Sequence, residues 1–194
     1  MQKTLSLALF ALIFGLNKAQ VCNLTESEPT KSSYDGQVIE NLYILATPTD
    51  DTALKITHDN VTVKNVVIHH AANARGVYYW KANGLKFENV EVIAYGVHGT
   101  TDENNWGPQP CPKRAPFNGF NCANIIGWYG DDISFENVYV EGGSKGISVQ
   151  ISPRASMKNV IAKNIRGPFP AGQCFQIANK SDESTLEDFY CLNE

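Results

Sequence analysis

Along most of the chain the apolar positions fall into one block that recurs: alternation holds, slips by a single residue at an asparagine, and resumes. The blocks are V-T-V-K-N-V-V-I (61–68), L-K-F-E-N-V-E-V (85–92), I-S-F-E-N-V-Y-V (133–140), A-S-M-K-N-V-I-A (155–162) and T-L-E-D-F-Y-C (185–191). An earlier E-N-L-Y-I (40–44) fits the second half of the block. The pivots Asn41, Asn65, Asn89, Asn137 and Asn159 stand 24, 24, 48 and 22 residues apart, and Asp188 takes the slot in the last block. A fixed step of this size marks a solenoid, in which each repeat buries its apolar face only against its neighbours.

Before each pivot, pairs such as Val61/Val63, Leu85/Phe87 and Ile133/Phe135 have the period of two that belongs to a half-buried strand. After it, Val66/Ile68, Val90/Val92 and Val138/Val140 restore that period one residue out of phase. A slip of one residue requires a bend, and asparagine enters the left-handed backbone region far more easily than a β-branched residue. Stacked repeats would set these amides one above another as a hydrogen-bonded ladder. A third strand lies upstream in each repeat, at A-L-K-I-T (53–57), G-V-Y-Y-W (76–80), I-I-G-W-Y (125–129), G-I-S-V-Q (146–150) and C-F-Q-I-A (174–178). The connections are short and rich in Gly, Asn and Asp, which leaves no room for helices between the strands. The reading is an all-β chain, a parallel β-helix with three strands per turn over 38–194. Residues 20–37 cap it, and 97–123 form a loop insertion inside the 48-residue gap.

The first residues change the picture of where the chain works. Lys3, an apolar run from Leu5 to Leu16, and Ala19 before Gln20 have the layout of a cleaved signal peptide over residues 1–19, with an apolar run too short to span a bilayer. Secretion to the extracellular space is therefore expected, with no membrane segment in the mature chain. A net charge of −4 gives no basic surplus and argues against nucleic acid. Five cysteines in an oxidising compartment imply pairing with one left over. Cys111 and Cys122 bracket half of the insertion and are expected as a disulfide, whereas Cys191 falls in an inward column and reads as a buried thiol. Sequons for N-glycosylation stand at Asn23, Asn60 and Asn179.

The Asn pivots and three-strand repeats resemble the pectate-lyase-like superfamily of right-handed β-helices over residues 36–194. The blocks G-P-Q-P-C-P-K-R-A-P-F-N-G-F-N-C (107–122) and R-G-P-F-P-A-G-Q-C-F-Q (166–176) look like those of secreted β-helix proteins of undefined activity. The resemblance implies a polysaccharide partner lying along the outer face of the upstream strand. With Leu54/Ile56, Val77/Tyr79, Ile126/Trp128, Ile147/Val149 and Phe175/Ile177 inward, the outward set is Lys55, Tyr78, Trp80, Tyr129, Ser148, Gln150 and Gln176. Aromatic faces beside hydroxyl and amide groups suit sugar rings, and Tyr78, Trp80, Tyr129, Gln150 and Gln176 are the expected binding residues. The alternative is that Tyr78 and Trp80 form a satellite core beneath the loop.

For chemistry, His69, His70 and Arg75 are placed on the preceding loop, on the same side and one repeat away from the insertion that carries His98. In polysaccharide lyase chemistry on acidic glycans, His70, Arg75 and His98 are the candidates to take the proton beside a uronate carboxylate. No metal site or obligatory cofactor is implied; Ca²⁺ is the one ion such chemistry could draw on to neutralise the acid. The adjacent acids Asp131 and Asp132 resemble the paired carboxylates of β-helix glycosidases, without the other motifs of that group. A non-catalytic glycan-binding or surface protein is the competing reading. No polar cap follows Asp188, so end-to-end self-association, or an N-terminal fragment of a longer β-helix protein, is also expected.

Overall fold

The computed structural model describes residues 24–72, 74–95, 122–165 and 172–192. Among these every regular element is a strand, and no helix is long and apolar enough to cross a membrane. The chain alternates between two parallel sheets. The larger contains β1 (Thr25–Ser27), β3 (Val38–Glu40), β4 (Leu42–Leu45), β6 (Thr62–Ala71), β8 (Lys86–Tyr95), β10 (Ser134–Glu141), β12 (Ser156–Lys163) and β14 (Thr185–Leu192). The smaller runs β2 (Thr30–Lys31), β5 (Thr52–Ile56), β7 (Arg75–Trp80), β9 (Ala123–Trp128), β11 (Ile147–Gln150) and β13 (Phe175–Ala178).

The asparagines are where the phase slip placed them. Asn41, Asn65, Asn89, Asn137 and Asn159 all have φ between 52° and 57°, and Asp188 has 49°. Each Nδ2 donates to the Oδ1 of the preceding pivot, at 3.3, 3.2, 3.1 and 2.7 Å from Asn65 to Asn159. Asn137 bonds directly to Asn89, so the 48-residue gap is one repeat plus an insertion.

One expectation needs refining. The strands before and after a pivot are continuous, bent strands in β6, β8, β10, β12 and β14, so the repeat has two strands in two sheets rather than three. The physical reason is that one left-handed residue turns the backbone while its neighbours on both sides keep their ladder bonds. Only at Asn41 does the bend separate two strands, β3 and β4. The expected capping segment also contributes more than cover, since β1 pairs with β4 and β2 with β5.

Between the sheets lies one apolar core, including Ile44, Ile68, Val92 and Val140, with Phe87 stacked on Phe135 at 4.8 Å. Burying each such side chain is worth about 1.5–3 kcal/mol, which is why the repeat has to stack. Cys191 corrects its expectation. It pairs in register with Ala162, as the column required, but it is disulfide-bonded to Cys174 with Cα atoms 5.9 Å apart. The partner comes from the start of β13 in the same repeat, a proximity that column counting along one sheet does not reveal. The outer strand β14 leaves Phe189, Tyr190 and Leu192 exposed.

Candidate functional site

The outer face of the smaller sheet carries two side-chain columns. Strand register aligns Lys55, Tyr78, Ile126, Ser148 and Gln176 in one, and Trp80, Trp128 and Gln150 in the other. Sequence alternation had put Ile126 and Trp128 inside; β9 is in the opposite phase, with Ile125 and Gly127 in the inward columns. The cause is Tyr79. Its ring fills the inward space, and a Cβ on Gly127 would come within 2.2 Å of it. Only glycine fits opposite the ring, and the flanking apolar residues, Ile126 and Trp128, turn outward. Tyr79 is fully buried, its hydroxyl meets Ser152 Oγ at 3.4 Å, and burial pushes its pKa upward.

The outward phase gathers four aromatic rings. Trp80 meets Trp128 at 6.3 Å and Tyr129 edge-on at 4.9 Å, and Tyr78 meets Trp128 edge-on at 6.0 Å. Ile126 and Trp128 are buried within this cluster, Tyr78 and Trp80 half-buried, and Tyr129 is 41% exposed at the strand end, with φ 59°. The face thus grades from a covered floor at Ile126 and Trp128 to a more open aromatic rim at Tyr129.

Beside the rings runs a chain of polar groups. Asn179 Nδ2 donates to Gln150 Oε1 (2.9 Å), Gln150 Nε2 to Ser148 Oγ (3.3 Å), and Ser148 Oγ to Gln176 Oε1 (2.8 Å). Lys145 Nζ donates to that same Gln176 oxygen at 3.2 Å. Gln150 and Gln176, both expected as binding residues, are therefore linked in one network. Lys145 was missed because G-G-S-K-G carries no periodic signal.

Of the expected catalytic residues, His70 and Arg75 are held in structural contacts. His70 is 1% exposed; its Nδ1 lies 2.9 Å from Ala71 O and its Nε2 3.0 Å from Asn124 Oδ1. Asn124 Nδ2 donates to Gly142 O and Lys145 O, which fixes the amide with its oxygen toward the imidazole. Both ring nitrogens of His70 thus face acceptors. Arg75 is paired with Asp51 and lies over the Tyr78 ring at 4.4 Å. Burial raises the pKa of Tyr78; Arg75 opposes that rise and Asp51 adds to it. His69 stands on the outer face of the other sheet, where its Nδ1 is 3.1 Å from Tyr43 Oη. Asp131 and Asp132 are both engaged by Arg154, with Nε to Asp132 Oδ1 at 2.6 Å.

His98, Cys111 and Asn23 lie outside the described residues. Cys122 is disulfide-bonded. Asn60 and Asn179 are exposed, as glycosylation would require. No group of three or more His, Cys, Asp and Glu that could hold a metal occurs among the described residues. Comparison with known proteins gives no match: no family model fits the chain, and no curated protein or solved structure matches it.

Proposed function

We propose that the chain is a secreted right-handed parallel β-helix protein of the pectate-lyase-like kind, and that it binds an acidic polysaccharide along the outer face of its smaller sheet. The observation that carries this is the pairing of an open aromatic rim, Trp80 and Tyr129, with the network from Asn179 through Gln150 and Ser148 to Gln176. Sugars present an apolar ring face and a hydroxyl edge, and this surface offers a partner for each. The repeated columns suit a repeating ligand, because strands ~4.8 Å apart present equivalent groups at regular steps.

Binding is favoured over lyase chemistry by the state of the two candidate bases among the described residues, His70 and Arg75. A base must reach the proton it removes, yet His70 is buried between two acceptors and Arg75 is paired. The test is calorimetric titration of the mature chain with pectin, alginate and glycosaminoglycans, with Trp80→Ala and Tyr129→Ala as variants. Saturable binding of an acidic glycan, weakened about tenfold or more in either variant, supports the proposal. Absence of binding to every polymer rejects it. Ultraviolet-absorbing unsaturated products in the same samples would restore the lyase reading.

A further inference from the structure

The smaller sheet ends in a column of bends that links a sugar-attachment sequon to the aromatic rim. Lys81, Tyr129, Ile151 and Asn179 directly follow β7, β9, β11 and β13, and all four have φ between 52° and 59°. They stack in register: Lys81 N donates to Trp128 O at 3.0 Å, Tyr129 N to Gln150 O at 3.1 Å and Ile151 N to Ala178 O at 3.0 Å. Asn179 therefore stands two strands from Tyr129, about 10 Å along the stack at the usual strand spacing.

Asn179 opens the sequon Asn179-Lys180-Ser181, and Asn179 and Lys180 are both exposed. Its Nδ2, the atom to which an N-linked glycan attaches, donates to Gln150 Oε1 at 2.9 Å. Gln150 shares an outward column with Trp80 and Trp128 on one side and Ala178 on the other. That column steps down from two indoles, through an amide, to a methyl group beside Asn179. A sugar attached at Nδ2 thus starts over a low step, and the polar group it first passes is the Gln150 amide. Beyond it, Tyr129 is 41% exposed and offers the apolar face on which a pyranose ring can lie. The sequon at Asn60 is placed differently. It precedes β6, where a Cβ on Gly84 would come within 2.4 Å of Asn60 Oδ1, and its neighbours Asp59, Asn83 and Gly84 offer no ring.

We propose that Asn179 carries an N-linked glycan whose first two sugars run along Gln150 to the Tyr129 ring, so that the chain's own glycan covers the rim. In the transfer, the Nδ2–C1 bond forms as the C1–O bond of a lipid-linked diphosphate sugar donor breaks. The amide nitrogen loses one of its two protons and the lipid diphosphate leaves. The proton that remains keeps Nδ2 a donor to Gln150. In the folded chain Ser181 Oγ donates to Ala178 O at 2.7 Å and accepts from Ser152 N at 3.0 Å, so the transfer precedes closure of this bend. The cover itself needs only the rim geometry. Its competition with an external polysaccharide rests on the glycan-binding reading.

The full chain with Thr25→Ala and Thr62→Ala, which removes the sequons at Asn23 and Asn60, is secreted from eukaryotic cells. The same chain exported to the bacterial periplasm supplies the glycan-free form. Glycopeptide mass gives the occupancy of Asn179. Nuclear Overhauser contacts between sugar protons and labelled tyrosine rings give the packing, with the Tyr129 signal identified by its loss in Tyr129→Ala. The expected results are a glycan at Asn179, contacts from it to the Tyr129 ring, and oligogalacturonate binding about tenfold or more tighter in the glycan-free form. Should the substitutions prevent folding, the unsubstituted chain from the two hosts gives the same three readouts. An unmodified Asn179, a glycan there without contact to Tyr129, or equal oligomer affinity in the two forms overturns this inference and leaves the binding reading standing. A glycan-free chain that binds no oligomer, with the sugar–Tyr129 contacts present, overturns the binding reading and leaves the cover standing.

Discussion

The two sheets turn outward faces that treat a buried ionisable group in opposite ways. On the larger sheet, Glu91 is 2% exposed, its Oε2 has no hydrogen-bond partner among the described residues, and the carboxylate of Glu141 acts on it electrostatically. Burial, and then repulsion from Glu141, push its pKa up to about 8, so Glu91 is a neutral acid at physiological pH. Glu141 accepts a hydrogen bond from the Tyr139 hydroxyl at 2.6 Å. Just before β11 of the smaller sheet, Lys145 is buried, and its ammonium donates to the neutral Gln176 Oε1. A like-charged neighbour makes neutrality the resolution for Glu91. For Lys145, whose ammonium meets a neutral acceptor, burial alone lowers the pKa. The same repeat therefore buries an acid beside a like charge on one face and a base beside a neutral amide on the other.

The largest effect that would sharpen this contrast is on pH-dependent stability. Glu91 has a raised folded-state pKa, so its contribution is intact below its ordinary value of 4.5 and lost as pH rises through about 8. Urea unfolding should show stability falling across that window by up to roughly 4–5 kcal/mol, and Glu91→Gln should remove most of the fall. An unchanged profile in the variant would mean Glu91 ionises freely. Next, Trp128→Ala should cost about 3 kcal/mol, because the ring is 5% exposed in the aromatic floor. Tyr129→Ala, at the open rim, should stay within about 0.5 kcal/mol. Thermal melts of equal depth for the two would erase the distinction between floor and rim.

A smaller loss, about 2 kcal/mol, is expected for Asn89→Ala. It breaks two bonds of the amide ladder and places a Cβ-bearing residue without a compensating side chain at φ 55°. Asn89→Gly should recover part of that loss; no recovery would show that the backbone bend costs nothing. The smallest effect belongs to Lys145. Its folded-state pKa is lowered, so its contribution is present above the ordinary value of 10.5 and lost as pH falls through the depressed one. Alkaline titration of stability should thus slope upward in wild type and flatten in Lys145→Met, opposite in sign to Glu91.

The repeat, the bends and the ladder were legible because each is written in local periodicity: a slip of one residue at Asn65 or Asn137 has one backbone solution. The phase of β9 was not legible, since Ile125, Ile126 and Trp128 are apolar on both faces, and only the bulk of Tyr79 one strand away selects Gly127 for the inside. Nor was the Cys174–Cys191 bond, because it joins the two sheets while the periodicity describes each alone. His70 reads as a base on a loop, but it lies inside β6 and is held by Asn124, 54 residues later. Lys145 and Glu91 owe their interest to burial without an ion pair among the described residues, which no spacing along the chain encodes.

The claim that the smaller sheet's outer face is the binding surface is tested most directly by hydrogen exchange of the mature chain with and without oligogalacturonate. The account predicts added protection confined to β9, β11 and β13, around Trp128, Ser148 and Gln176, with β8 and β10 near Glu91 and Glu141 unchanged. Protection centred on Glu91 instead, or none at a saturating oligomer concentration, would contradict it.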